Sequence, residues 1–123
     1  MAYESKIYVV KRKANATGIY GEIIAMYDCC AMGGTRGWTE MFTENVKYDV
    51  FIDSNDIPTK EDMYGDELKE TSIEKVIEWL EMEIKYLESK NDYYRRLPPL
   101  LAMLKGFNLT DWQNGLYIIH YGY

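Results

Sequence analysis

Cysteine, histidine and proline are scarce in this chain, with two, one and three among 123 residues. Cys29, Cys30 and His120 fall short of the four ligands a structural zinc site draws from such side chains, so no metal is expected. Two cysteines also make no disulfide framework, and in a reducing cytosol both are expected as thiols. Long apolar runs are missing too. Stretches such as "GLYIIHY" stop far short of the roughly 20 residues that cross a bilayer, so no membrane contact is expected. The start, "MAYESKIYVV", puts Glu4 and Lys6 directly before a strand-like run and lacks the basic-then-apolar order of a secretory leader. The expected location is therefore cytoplasmic. Cations are in deficit: 14 Lys and Arg against 20 Asp and Glu leave a net charge of −6. Direct nucleic-acid binding is not expected, because it needs clustered Lys and Arg. An acidic surface suits solubility, or a partner protein with a basic surface.

What the chain does have is apolar and aromatic mass. Its 47% apolar residues suffice for a core, and its length suits one domain, residues 1–123. Tyrosine is abundant, with 12 Tyr beside 3 Trp. A tyrosine buries its ring and keeps a polar tip in water, which suits both core edges and interfaces.

Patterning predicts α+β. "KIYVVKR" (6–12) reads as a strand, "KANATG" (13–18) as a hairpin loop and "YGEIIAMYDCC" (20–30) as the partner strand. "VKYDVFI" (46–52) alternates apolar and polar residues with a period of two, the mark of a strand with one buried face. The acidic stretch 53–70 has seven carboxylates and two lysines with Pro58 and Gly65 as breakers, and reads as an extended, solvated loop. A helix is predicted from Ser72 to about Lys90, because Ile73, Val76, Ile77, Leu80, Ile84 and Leu87 recur at helical spacing. Thr71 and Glu74 have the form of a capping box, and Asn91 and Asp92 end the helix. A shorter helix is expected within 93–107, with Pro98 and Pro99 in its first turn and Gly106 as its cap, followed by a last strand at 115–123. The order β-β-β-α-α-β suggests a small antiparallel sheet covered on one face by two helices.

"YDCCAMGGTRGW" (27–38) looks most like chemistry. Adjacent cysteines on a strand point to opposite faces, so they do not share a metal easily. They also lack the C-x-x-C spacing of a redox pair, and "GGTRG" lacks the length and lysine of a phosphate loop. The stretch reads as a strand end and a turn. Arg36 beside Trp38 offers a cation next to an aromatic, although a tryptophan folded back over the sheet is the simpler reading. "DYYRRLPP" places Tyr93, Tyr94, Arg95 and Arg96 together, able to stack a base and bind a phosphate, or else to pack an interhelical corner. Asp53, Asp56, Glu61, Asp62, Asp66, Glu67 and Glu70 are dense enough to occupy a basic groove, but lack EF-hand spacing. His120 has no serine or cysteine partner that spacing identifies and reads as a structural residue. With no nucleophile, base and orienting group assembled, catalysis is not expected, and no cofactor is implied.

Four stretches carry a resemblance: "YESKIYVV", "EDMYGDELKE", "DYYRRLPPLLAMLKGF" and "HYGY". Together they resemble small uncharacterised proteins of phages and integrated mobile elements in Gram-positive bacteria. The resemblance implies an accessory protein that binds and disables host machinery, such as a CRISPR effector or a nucleotide-signalled defence. The leading expectation is therefore a non-enzymatic, anti-CRISPR-like inhibitor in the host cytoplasm. Its contacts are Asp53, Asp56, Glu61, Asp62, Asp66 and Glu67 together with exposed tyrosines, set against a basic host protein. The alternative is a protein that sequesters a nucleotide signal through Tyr93, Tyr94, Arg95 and Arg96.

Overall fold

Two long strands, β1 (Ser5–Asn15) and β2 (Gly18–Asp28), form an antiparallel hairpin. Asn15 makes its turn: its Oδ1 accepts from the amides of Thr17 and Gly18 at 2.9 and 3.0 Å. Gly18 sits at φ +143°, where a side chain would be strained. The computed structural model describes residues 4–29, 32, 35–52, 56–108 and 116–123. Cys30, the last residue of the predicted second strand, lies outside them, and β2 stops at Asp28.

After a short 3-10 turn, Thr39–Met41, come β3 (Glu44–Asn45), β4 (Asp49–Val50) and β5 (Lys69–Ser72). The helices α1 (Ile73–Ser89) and α2 (Leu97–Asn108) follow, and β6 (Leu116–Gly122) closes the chain. The architecture is α+β, as expected, but the sheet is not purely antiparallel. Six strands run in the order β3-β5-β6-β1-β2-β4, and β4 pairs with β2 in parallel. Two expectations failed to anticipate this. The alternation in 46–52 is real in burial, with Tyr48 and Val50 buried and Lys47, Asp49 and Phe51 exposed. Only Asp49 and Val50 are paired, however, because a period of two reports a buried face and not a ladder of hydrogen bonds. The other miss is β5, "KETS": Lys69 and Glu70 belong to the stretch expected as solvated loop and Thr71 and Ser72 to the expected helix start, yet the four form a strand in which Glu70 and Thr71 are buried.

The sheet must curl. β3 and β4 form its opposite edges, yet only Val46, Lys47 and Tyr48 connect them. Four residue steps reach at most about 14 Å, whereas five inter-strand spacings in a flat sheet span about 24 Å. The chain therefore closes over the face that carries Tyr8, Val10 and Ile119, where Tyr48, Val50 and Leu68 complete one core cluster. Ile7, Val9 and Ile118 alternate to the opposite face. There they share the larger cluster with Ile73, Val76, Ile77 and Leu80 of α1 and Leu97, Leu100 and Leu104 of α2.

Each helix departs from the sequence pattern at one end. Ser72, not Thr71, caps α1: its hydroxyl accepts from the Lys75 amide at 3.3 Å, while Thr71 is buried in β5. At the other end Asn91 adopts φ +58°, and the amides of Asn91 and Asp92 return to the carbonyls of Glu88 and Leu87. That is the paired closure typical of a left-handed helix stop. In α2, Pro98 and Pro99 occupy the first turn as predicted, but the helix runs through Gly106 to Asn108.

His120 on β6 lies in an aromatic nest. Phe42 stacks on its ring at 5.1 Å, Trp38 meets it edge-on at 5.9 Å, and Ser5 Oγ lies 3.0 Å from its Nε2. Burial lowers its pKa from 6.5 to about 4, with Asp62 pulling weakly the other way. Because the unfolded chain binds the proton more readily, stability is lost as pH falls from 6.5 towards 4.

Two predictions follow from this packing. A Cβ on Gly21 would lie 2.6 Å from both Tyr48 Cε2 and Val10 Cγ1. Gly21→Ala should therefore lower the unfolding free energy in urea by about 1–3 kcal/mol, and an unchanged midpoint would contradict the close approach of Tyr48. For His120→Asn, urea unfolding at pH 7 and pH 4.5 should show an acid loss smaller than wild type by roughly 2 kcal/mol. Equal losses would mean that the fold does not hold His120 neutral.

Candidate functional site

Within the acidic stretch, residues 60–68 form an ordered hairpin and not a solvated loop. Asp62 and Asp66 close a tight turn, with the Asp62 amide donating to the Asp66 carbonyl at 2.8 Å and Gly65 at φ +83°. Glu61 and Glu67 pair across it, and the Leu68 amide donates to the Lys60 carbonyl at 3.0 Å. Asp62 Oδ1 accepts from the amides of Tyr64 and Asp66 at 2.8 and 3.1 Å, so this carboxylate holds the turn together. The buried Leu68 side chain anchors the hairpin in the core. The Tyr64 hydroxyl accepts from the Glu4 amide at 2.9 Å, and the Tyr123 amide donates to the Glu4 carbonyl, so two exposed tyrosines meet at Glu4.

The six predicted contact residues are distributed unevenly. Asp53 lies outside the described residues. Asp56 is exposed at φ +58°. Glu61, Asp66 and Glu67 are exposed, and Asp62 is half-buried. Asp62, Asp66 and Glu67 line a cavity of about 360 Å³ together with Thr39, Phe42, Lys69 and His120. Three carboxylates against one lysine make it an anionic recess, with Phe42 and a neutral imidazole contributing uncharged wall. Among the described residues, no group of three or more His, Cys, Asp or Glu is placed to hold a metal. Sequence spacing paired His120 with nothing, whereas the fold brings it to Ser5. That serine is fully buried in β1 and does not line the cavity, so the pair is arranged as packing and not as an accessible nucleophile with its base.

The "YYRR" stretch is divided in its roles. The Tyr94 hydroxyl donates to the Cys29 carbonyl at 2.8 Å, and Arg96 donates to the Asp28 carbonyl at 2.9 Å. The Tyr27 hydroxyl donates in turn to the Arg96 carbonyl, so these bonds tie the α1–α2 connection to the end of β2. Tyr93 and Arg95 are exposed. The cavity that Tyr93 and Tyr94 help to line is only about 50 Å³ and includes neither arginine.

In the 27–38 stretch, Cys29, Met32 and Trp38 are buried in the core. Trp38 packs against Phe42 and Trp79 at 5.3 and 5.1 Å. Arg36 does not pair with Trp38; its guanidinium lies 4.3 Å from the Tyr86 ring centre, and the Trp79 indole donates to its carbonyl.

A second cleft was not anticipated. It encloses about 520 Å³ and is lined by Arg12, Ile19, Glu44, Lys47, Tyr48, Glu70, Ser72, Lys75 and Tyr117, among others. At its base Glu70 is buried and accepts from Arg12 through one oxygen and from the Tyr48 hydroxyl through the other. The guanidinium lies 3.6 Å from the ring centre of Tyr117 and 5.0 Å from that of Tyr48. Burial disfavours the Arg12 charge, but the Tyr48 hydroxyl and Glu70 outweigh that and hold its pKa above the ordinary value. Burial, reinforced by Glu70, pushes the Tyr48 phenol well above the usual tyrosine range. Tyr48 thus stays a neutral donor at every physiological pH. Only the alternation in 46–52, which marks Tyr48 as inward-facing, hinted at this cluster; its other members lie on β1, β5 and β6, far apart in sequence.

No helix among the described residues is long and apolar enough to cross a membrane. No protein-family model, curated protein or solved structure matches the chain. What the arrangement can do chemically is therefore read from its own side chains, which form one anionic recess and one cleft with a cationic rim.

Proposed function

We propose that this protein acts by binding and not by catalysis, docking the acidic stretch 56–68, with its hairpin at 60–68, against a basic protein surface. The observation that carries this reading is the gathering of Asp62, Asp66 and Glu67 around one recess beside uncharged Phe42 and His120. Such a recess suits a lysine or arginine side chain, whose stem packs on apolar wall while its head meets carboxylates. Along the same stretch of chain, Ile57, Met63 and Tyr64 are 70%, 52% and 41% exposed. Apolar side chains among like charges supply the desolvated contacts that long-range attraction alone lacks.

The resemblance to small phage and mobile-element proteins gives the partner a class: a host defence component with a nucleic-acid-binding groove, such as a CRISPR effector. In that setting the hairpin occupies the groove in place of a phosphate backbone, and inhibition follows from exclusion. The protein then works in the bacterial host's cytoplasm.

The test reverses charge where the hairpin does not need it. Asp62 is left intact because it holds two amides. Glu61, Asp66 and Glu67 are exposed and changed together to lysine. Tagged wild type and E61K/D66K/E67K are compared in capture from a Gram-positive lysate, with proteins quantified by mass spectrometry. Wild type should retain a basic nucleic-acid-binding protein that the triple variant loses, and salt of about 0.5 M should weaken the capture. Identical capture by the two proteins, with folding confirmed by circular dichroism, would remove the hairpin as the contact surface.

A further inference from the structure

We infer that the cleft above the Arg12–Glu70 pair is a binding site for an organic phosphate of nucleotide size, its phosphate held by Lys47 and Lys75. The inference is independent of the docking hairpin, none of whose residues line this cleft.

Charge accounting carries the first step. Five charged side chains line the cleft: Arg12, Lys47 and Lys75 against Glu44 and Glu70. Glu70 is buried and committed to Arg12 and Tyr48, so those three form a closed unit. Among the described residues, neither Lys47 nor Lys75 has a carboxylate within ion-pair distance. Glu44 has no ion pair among them either, so the two lysines and this glutamate leave the cleft a net charge of +1, opposite in sign to the chain's −6. A phosphate monoester carries about −1.5 to −2 at neutral pH, and the two lysines can meet it as point charges.

Size carries the second step. About 520 Å³ falls within the roughly 300–1,000 Å³ typical of small-molecule sites, and an inorganic ion would leave most of it unused. Exposed Ile19 and the half-buried Tyr117 give the ligand's body an apolar wall. Ser72 adds a donor: its oxygen already accepts from the Lys75 amide, which leaves the hydroxyl hydrogen free to turn into the cleft.

Rigidity carries the third. Arg12 is held by a carboxylate and by two tyrosine rings, so the floor is set before a ligand arrives and little ordering is spent on binding. Arg12 Nε is buried without a hydrogen-bond partner. Leaving such a donor unpaired is unfavourable, and it gives the floor of the cleft one hydrogen-bond donor not yet used.

The test is isothermal titration of the full chain with the adenosine, guanosine, cytidine and uridine 5′-monophosphates, and with inorganic phosphate. At least one nucleotide should bind wild type, with inorganic phosphate at least tenfold weaker. K47E/K75E should bind at least tenfold more weakly than wild type, and Lys75→Gln, which only removes one charge, at least threefold more weakly. E61K/D66K/E67K should keep its nucleotide affinity within twofold, which separates this site from the docking surface. Absence of binding by all four nucleotides overturns the proposal. So do inorganic phosphate binding as tightly as a nucleotide, undiminished affinity in both lysine variants, or loss of affinity in the hairpin variant.

Discussion

Three residues between the two edge strands govern this molecule. Because Val46, Lys47 and Tyr48 alone join β3 to β4 across a six-stranded sheet, that sheet has no flat alternative. The curl brings the Tyr48 ring over β2, where Gly21 offers no Cβ to obstruct it, and brings its hydroxyl to Glu70. The same closure places Lys47 at the rim of the cleft and Glu44 beside it. The larger cavity is thus a by-product of how the sheet closes, and the side chains that line it are those the crossing delivers.

Glu70 shows how such a closure tolerates charge. It lies on β5, and Arg12 reaches it from β1 across the intervening strand β6, passing over Tyr117. Burying this pair costs desolvation that its attraction roughly repays, so the pair contributes little net stability. What it does contribute is position. β5 has no apolar residue to seat it, and a carboxylate that finds its guanidinium and phenol in only one register fixes where "KETS" pairs. Removing either partner would leave a buried charge uncompensated, which is far costlier than the pair is beneficial.

This also explains what was legible in the sequence. The β1–β2 hairpin and α1 depend on neighbours within a few residues, and their periodicity and turn chemistry were sufficient. The helix stop at Asn91 was visible for the same reason. β5 was not, because its burial comes from a pairing between residues 12 and 70 that no local pattern encodes. The capping assignment moved by one residue because Thr71 was already committed to the sheet. "YYRR" looked like a ligand site because its tyrosines and arginines are adjacent, but adjacency does not show that the Cys29 and Asp28 carbonyls lie within reach of Tyr94 and Arg96. The acidic stretch was recognised by composition, whereas its order comes from Asp62 bonding to its own backbone and from Leu68 in the core.

The two recesses, opposite in charge, share β5. Lys69 lines the anionic one, and Glu70, Thr71 and Ser72 line the cleft. β6 repeats the division, with His120 at the first and Tyr117 at the second. β5 is hydrogen-bonded to β3 on one side and β6 on the other, so it cannot shift alone without breaking ladders at both edges. The basic group and the anion proposed for these recesses would thus meet one element from its two ends. A strand paired on both sides, with its buried carboxylate bonded to Arg12 and Tyr48, is suited to keep such opposite charges apart.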